Sequence, residues 1–244
     1  MKEIISRPIG LDIISDQIDN IADNPLLYRQ LGVPSFIVQL DKGEGRSTII
    51  KYAVERFKGA KFLNFDSGRK DFLEITFDGS YTQYETMMHL IENSKDYSNH
   101  FERVLSMDIT KIASHSQERH YIDLINSAPY FCQYGCMFFW LPFNAKTNEL
   151  ELANKLKNAV GNNNLLHIIP ESYTNESITQ ISESMLSNLG IDSVNASKLS
   201  GHIGSVCTSV KDASTASGII YRQFCFGNDI SEINTDDVKK YIIN

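Results

Sequence analysis

The sequence lacks what several large classes of protein require. No uninterrupted apolar run reaches the roughly 18 residues that a membrane helix needs, so no membrane contact is expected. The opening MKEIISRPIGLD carries no long apolar core of the secretory kind. Basic residues are in deficit: 23 Lys and Arg against 30 Asp and Glu give a net charge of −7, and the pI is near 5.4. Gripping a nucleic-acid backbone broadly takes a basic face, so direct contact with DNA or RNA is not expected except through a local patch. The four cysteines, Cys132, Cys136, Cys207 and Cys225, include no C-x-x-C pair. Two further ligands for Cys132 and Cys136 are not evident, so buried, reduced thiols of a cytoplasmic protein are expected. Gly-x-Ser-x-Gly is absent, which removes the hydrolase elbow. His115 and His120 lie five apart, a spacing that does not share one helical face for zinc. The acidic FDGSYTQYE lacks calcium-loop spacing. No arginine occurs from residue 120 to 221.

What is present is a chain of 244 residues, 42% hydrophobic and 22% charged, enough for one large domain or a domain with a small companion. Segments of helical and strand character alternate for about 170 residues. Leu11, Ile14, Ile18 and Ile21 fall on one helical face, and NPLLYRQLG reads as a short helix closed by Gly32. FIVQL, KFLNF, DFLEITF, FERVLSMDI, CMFFWLPF and LLHIIP read as strands, DFLEITF in a hairpin-like insertion and CMFFWLPF as the most apolar and hence central one. STIIKYAVERF, YTQYETMMHLIEN, ERHYIDLINSA and ELELANKLKNAV read as helices. Such alternation implies a parallel sheet covered by helices on both faces. After Pro170 only helices follow. The expected organisation is an αβα core over residues 1–171 and an all-helical domain over 172–244.

The stretch FIVQLDKGEGRSTII carries the main chemical signal. An apolar strand enters a glycine-containing loop and then a helix. Consecutive backbone N–H groups and a helix N-terminus can together hold one anion, and Gly43 and Gly45 sit where the chain must curl. Ser47 is placed to bind Mg²⁺ through its hydroxyl, with Thr48 next. The pattern departs from G-x-x-x-x-G-K-[ST]: Leu40 stands at the first Gly and Arg46 at the Lys. A planar guanidinium is bulkier than an ammonium. Glu44, ~5 Å from a phosphate oxygen, would repel it by roughly 3 kcal/mol at an effective dielectric near 20. An ordinary polar turn accounts for this loop equally well.

More of the chain supports the nucleotide reading. Ile9-Gly10-Leu11, then NPLLYRQLGVP, then the strand and loop, resemble the opening of AAA-family ATPase domains of the membrane-protease and NSF-like type. VLSMDI resembles the Walker B strand, with Asp108 matching the acid that holds Mg²⁺ through water. The following position, which in the family carries a water-polarising Glu, is Ile109. MFFWLPFNAK resembles the sensor-1 strand, with Asn144 as its polar end. GNNNLLHIIP matches the region of the family's arginine fingers, where this chain has Asn162, Asn163 and Asn164. LSGHIGSVCTSVKDAS resembles the lid helix, with Ser200-Gly201 near the adenine and ribose. Tyr81 and Tyr84 fall where such ATPases place a pore loop, although an ordinary packing pair is the simpler reading.

The resemblance implies an α/β, three-layer αβα P-loop NTPase core with a parallel sheet, followed by a small helical lid. It implies ATP or ADP with Mg²⁺ in the cleft between them. Gly43, Gly45, Arg46, Ser47 and Thr48 would hold phosphate, Ser47 and Asp108 the metal, and Ile9, Gly10 and Gly201 the base. With the catalytic Glu and the fingers missing, hydrolysis is expected to be slow or absent. The chain is then a subunit or regulator of a larger assembly of its own or other AAA subunits. Three alternatives stand beside this: an active ATPase using another acid such as Glu118 or Asp123, a loader-like replication or mobile-element accessory, and a structural module that no longer binds nucleotide.

Overall fold

The computed structural model describes residues 7–24, 27 and 28, 34–59, 75–77, 104–114, 119–134 and 136–243. The segments KFLNF and YTQYETMMHLIEN, most of NPLLYRQLG, and Tyr81, Tyr84, His115 and Glu118 lie outside these residues.

The first helix, α1 (Asp12–Asp23), buries Ile14, Ile18 and Ile21 of the stripe that the sequence spacing predicts, with Ser15 and Ala22 beside them; Leu11, also buried, lies just before it. Strand β1 (Ser35–Gln39) is buried along its whole length and leads through the glycine loop into α2 (Arg46–Gly59). Next come β2 (Ile75–Phe77), β3 (Val104–Asp108), the short α3 (Thr110–Ala113) and α4 (Arg119–Tyr134). Strand β4 (Cys136–Leu141), α5 (Thr147–Val160) and β5 (Leu165–Ile168) complete the alternation.

The strands form one five-stranded sheet in the order β2-β3-β4-β1-β5, parallel at every pairing. Ile75–Phe77 therefore joins the main sheet beside β3, as a parallel partner and not as its hairpin return. As a parallel sheet needs both faces covered, β4 reads as an unbroken apolar run and β1 carries one from Phe36 to Val38 between the buried Ser35 and Gln39. Phe36, Phe138 and Trp140 stack on one face, with ring centroids 4.9 and 5.7 Å apart in successive pairs. Ile37, Leu105, Met107, Met137, Phe139, Leu141 and Leu165 face the other way, into a core completed by α3, α4 and α5.

Sheet order places the functional end. The connection leaving β1 travels toward β2, whereas that leaving β4 travels toward β5, and right-handed crossovers in opposite directions lie on opposite faces. The carboxyl ends of β1 and β4, adjacent strands with diverging exits, are therefore where an open α/β sheet leaves a crevice.

Chain contacts divide the protein into two compact units. One includes Asp12–Lys42 and Arg46–Pro170; the other gathers Ile9–Leu11, Gly43–Gly45 and Glu171–Asn244. The second unit is helical: α6 (Asn175–Asn188), α7 (Ser193–Val206), α8 (Val210–Cys225), a 3₁₀ turn at Ile230–Glu232, and α9 (Thr235–Ile243). Its four α-helices open on side-chain caps: Thr174 on α6, Asp192 on α7, Ser209 on α8 and Asn234 on α9. Ile178, Leu186, Leu199, Ile203, Ala213, Ala216, Ile220 and Val238 are among the residues of its separate core. No described helix is long and apolar enough to cross a membrane.

Candidate nucleotide-binding site

The site begins where β1 stops. Leu40 still pairs with β4, its N–H donating to the Leu141 carbonyl at 2.8 Å, and the Phe143 N–H donates to the Asp41 carboxylate at 3.2 Å. The chain then curls: Gly43 and Gly45 both have φ of +96°, a region that side chains with a Cβ rarely enter. Gly45 has a second reason to be glycine. A Cβ there would lie 3.1 Å from Leu11 Cδ1 and 3.3 Å from the Tyr173 hydroxyl oxygen. At Arg46 the chain enters α2, whose first N–H groups have no intrahelical acceptor. Its first turn holds no acidic residue to neutralise the positive end of the dipole. Ser47 and Thr48 are exposed. Curl, helix N-terminus and open hydroxyls make a donor set that suits phosphate.

Glu44 does not point its charge into that donor set. Its carboxylate accepts from the backbone N–H groups of Val210 and Lys211, at 2.8 and 3.2 Å, at the start of α8. Its carbonyl accepts from the Tyr173 hydroxyl at 2.7 Å. The repulsion expected from the sequence is thereby relieved, and the carboxylate instead complements a second helix dipole. Burial, with the Glu44 charge beside it, pushes the Tyr173 phenol well above its ordinary pKa, so it stays a donor. Tyr173 also packs where a Cβ on Gly10 would go, 2.7 Å from its ring.

Arg46 turns to the sheet. Strand register sets Asp108 level with Trp140. Arg46 reaches across these strand ends: Nη1 donates to Asp108 Oδ2 at 2.7 Å, Nε to the Leu40 carbonyl at 2.6 Å, and Nη2 to the Leu141 carbonyl at 3.3 Å. Its guanidinium carbon lies 5.5 Å from the Trp140 ring centroid, within cation–π range. The other Asp108 oxygen accepts from the Thr110 N–H at 3.0 Å. Burial raises the Asp108 pKa, but hydrogen bonds from Thr110 and Arg46 outweigh it and hold the carboxyl below its ordinary value.

Phosphate and metal thus fare differently. The residues fit a phosphate group. Asp108 is a poor partner for Mg²⁺ as it stands, because its charge is paired with the Arg46 guanidinium and each of its oxygens already accepts a hydrogen bond. The guanidinium charge also cancels that of Asp108, so the pair offers a divalent ion no net negative charge.

No family model matches the chain, and no curated protein sequence matches it. Solved structures do. The Holliday junction branch migration motor RuvB of Thermotoga maritima aligns with a TM-score of 0.56 at 13% identity, covering 96% of this chain and 69% of that one. A single-substitution mutant of the same motor gives 0.60 at 14% identity, covering 96% and 69%. The ORC2 protein of Aeropyrum pernix, in its ADP form, gives 0.52 at 12% identity, covering 93% and 67%. The fold is that of an AAA+ P-loop ATPase.

Within this AAA+ fold the expected site residues fall into groups. Gly10, Gly43 and Gly45 belong to the helical unit, where a Cβ on each would meet Tyr173, Lys211 and Leu11 respectively. Arg46 and Asp108 meet at the strand ends. Ile9 is 36% exposed. Asn144 is exposed in the turn after β4. Gly201 sits in the middle of α7, and a Cβ there would meet nothing within 4 Å. Ile109, after Asp108, is fully buried and donates its N–H to the Trp140 carbonyl at 3.1 Å. Sequence reasoning missed Tyr173 and the helix-capping role of Glu44. Only one signal pointed to the first: an aromatic residue just past the last strand.

Proposed function

We propose that this chain is an AAA-type ATP- or ADP-binding module with degenerate catalytic motifs, slow or inactive in hydrolysis, that serves as a subunit or regulator of a larger assembly. One observation carries the reading: a two-glycine curl feeds a helix N-terminus free of first-turn acid, with Ser47 and Thr48 exposed, at the diverging exits of β1 and β4. In this reading Gly43, Gly45, Arg46, Ser47 and Thr48 hold phosphate, and Ile9, Gly10 and Gly201 attend the base. Ser47 is exposed and open to a phosphate oxygen. The membrane-protease and NSF-like pattern of residues 9–11 and 24–34 supports the same family.

The loss of catalysis is read from two positions. Ile109 is apolar and buried where the family carries its water-polarising Glu, and Asn162–Asn164 stand where it carries arginines. Asp123, one alternative acid, is engaged with Arg119 one turn earlier on its own helix, which does not favour the active-ATPase reading. Titration calorimetry with ATP and ADP tests binding, and a phosphate-release assay tests turnover. Saturable heat with negligible phosphate release is expected; absence of heat for both nucleotides would overturn the proposal.

The likeness to RuvB, a branch migration motor, favours one second reading: an accessory of a DNA-processing assembly. Filter binding to junction and linear DNA at low and high salt separates the two, and the net charge of −7 predicts no retention.

A further inference from the structure

We infer that this site takes the polyphosphate of a nucleotide without a divalent cation, because the Arg46 guanidinium already holds Asp108 where a metal and its water shell would act. The inference rests on the nucleotide-binding reading above and specifies its ligand as a metal-free nucleotide.

Arg46 is fixed on four sides. Two backbone carbonyls, one carboxylate and the Trp140 ring surround it, and its side chain is 13% exposed. The carbonyls belong to Leu40, just past the end of β1, and to Leu141, the last residue of β4. The anchor is therefore built from the sheet ends themselves. A guanidinium carries five N–H donors in a rigid fork. Three are spent on Leu40, Asp108 and Leu141, which leaves one on each terminal nitrogen for a phosphate oxygen. A lysine ammonium, a compact point charge on a flexible stem, cannot hold this fork geometry and face a phosphate as well.

On the other side of the pair, a metal-bound water approaching Asp108 would meet a carboxylate whose charge is already matched by Arg46 and whose two oxygens each accept a hydrogen bond. The pair is also neutral as a unit. Lys42, the α2 N-terminus and the exposed hydroxyls of Ser47 and Thr48 are then left to meet the negative charge of the phosphates. Ser47, not needed on a metal, becomes a direct phosphate donor.

The test is calorimetric titration of the full chain with ATP, once in EDTA and once in excess Mg²⁺. The wild-type dissociation constant is expected to change by less than about threefold between the two buffers. Arg46→Lys, which gives up the fork, is expected to bind at least about tenfold more tightly with Mg²⁺ than without. Arg46→Met, which frees Asp108 outright, is expected to lose binding in EDTA and regain part of it with Mg²⁺. Wild-type binding that tightens about tenfold or more on adding Mg²⁺ overturns this inference and leaves the nucleotide reading standing. No binding by the wild type in either buffer overturns both. The wild-type comparison decides even if a variant fails to fold, which circular dichroism would show.

Discussion

At the scale of single residues, Asp108 and Ile109 have parted ways. Asp108 sits at a strand end, and its hydrogen bonds from Thr110 and Arg46 outweigh the cost of burial. Its folded pKa is lower than the ~3.9 of an unfolded chain. It therefore adds stability above that value and loses it as pH falls through the folded value. The gap in unfolding free energy between the wild type and Asp108→Asn is expected to be full from neutral pH down to about pH 4 and to close below it. Urea unfolding at stepped pH measures this; a gap that stays constant into acid would show that Arg46 and Thr110 do not stabilise the ionised form. Ile109, one residue on, belongs to the core with Ile37, Met107, Ile112 and Leu141. A carboxylate placed there would be buried among apolar groups. Ile109→Glu is expected to lower stability by more than about 3 kcal/mol and to leave phosphate release unchanged. Recovered turnover in that variant would mean that the position still faces the reacting water.

At the scale of elements, two glycines three residues apart in α7 have opposite roles. Ala196, Ser200 and Gly204 form a row of small residues at four-residue spacing, and all three positions fall on the packed side. At Gly204 a Cβ would lie 2.8 Å from the Asn175 carbonyl and would also collide with the Thr179 hydroxyl, so α6 approaches α7 closely there. Gly201 lies off that row in open space. Gly204→Ala is expected to cost about 1–3 kcal/mol through overpacking, and Gly201→Ala to gain about 0.5–1 kcal/mol through helix propensity. Thermal unfolding of both variants checks this. Calorimetry on Gly201→Ala adds a second answer: weakened nucleotide binding would place Gly201 at the base, and unchanged binding would remove it from the site. The family resemblance drew attention to Gly201, whereas the small-residue row emerges only from the packing of α6 on α7. Strands β1, β4 and β5 were legible too, as apolar runs bounded by Pro34, Pro142 and Pro170. Their order was not, because it is set by crossovers and not by any one strand's composition. The same limit applies to the site. Gly43 and Gly45 announced a curl. That Arg46 would meet Asp108, 62 residues away, depended on β4 lying between β1 and β3.

At the scale of the whole molecule, the distribution of arginine constrains how an assembly could work. The turn between α5 and β5 is where the family resemblance places fingers that reach a neighbouring copy. Here it presents Asn162, Asn163 and Asn164, all exposed, after Gly161 at φ of +101°. An arginine finger is worth roughly 10³–10⁵ in rate, and asparagine carries no charge to replace it. Packing copies of this chain side by side therefore adds no cation from that turn to a neighbour's phosphates. An ATPase completed in trans by its own copies releases more phosphate per chain as concentration rises through the assembly range. For this protein, phosphate release per chain is expected to stay low and flat across that range, even where gel filtration with ATP shows larger species. If turnover instead climbs with concentration, an arginine from elsewhere in the chain, such as Arg103 or Arg119, must be reaching the neighbouring site. Substituting each by Ala would then identify the donor. A flat profile together with ATP-dependent assembly would mean that nucleotide acts here as a structural ligand, and that any catalytic arginine must come from a different subunit.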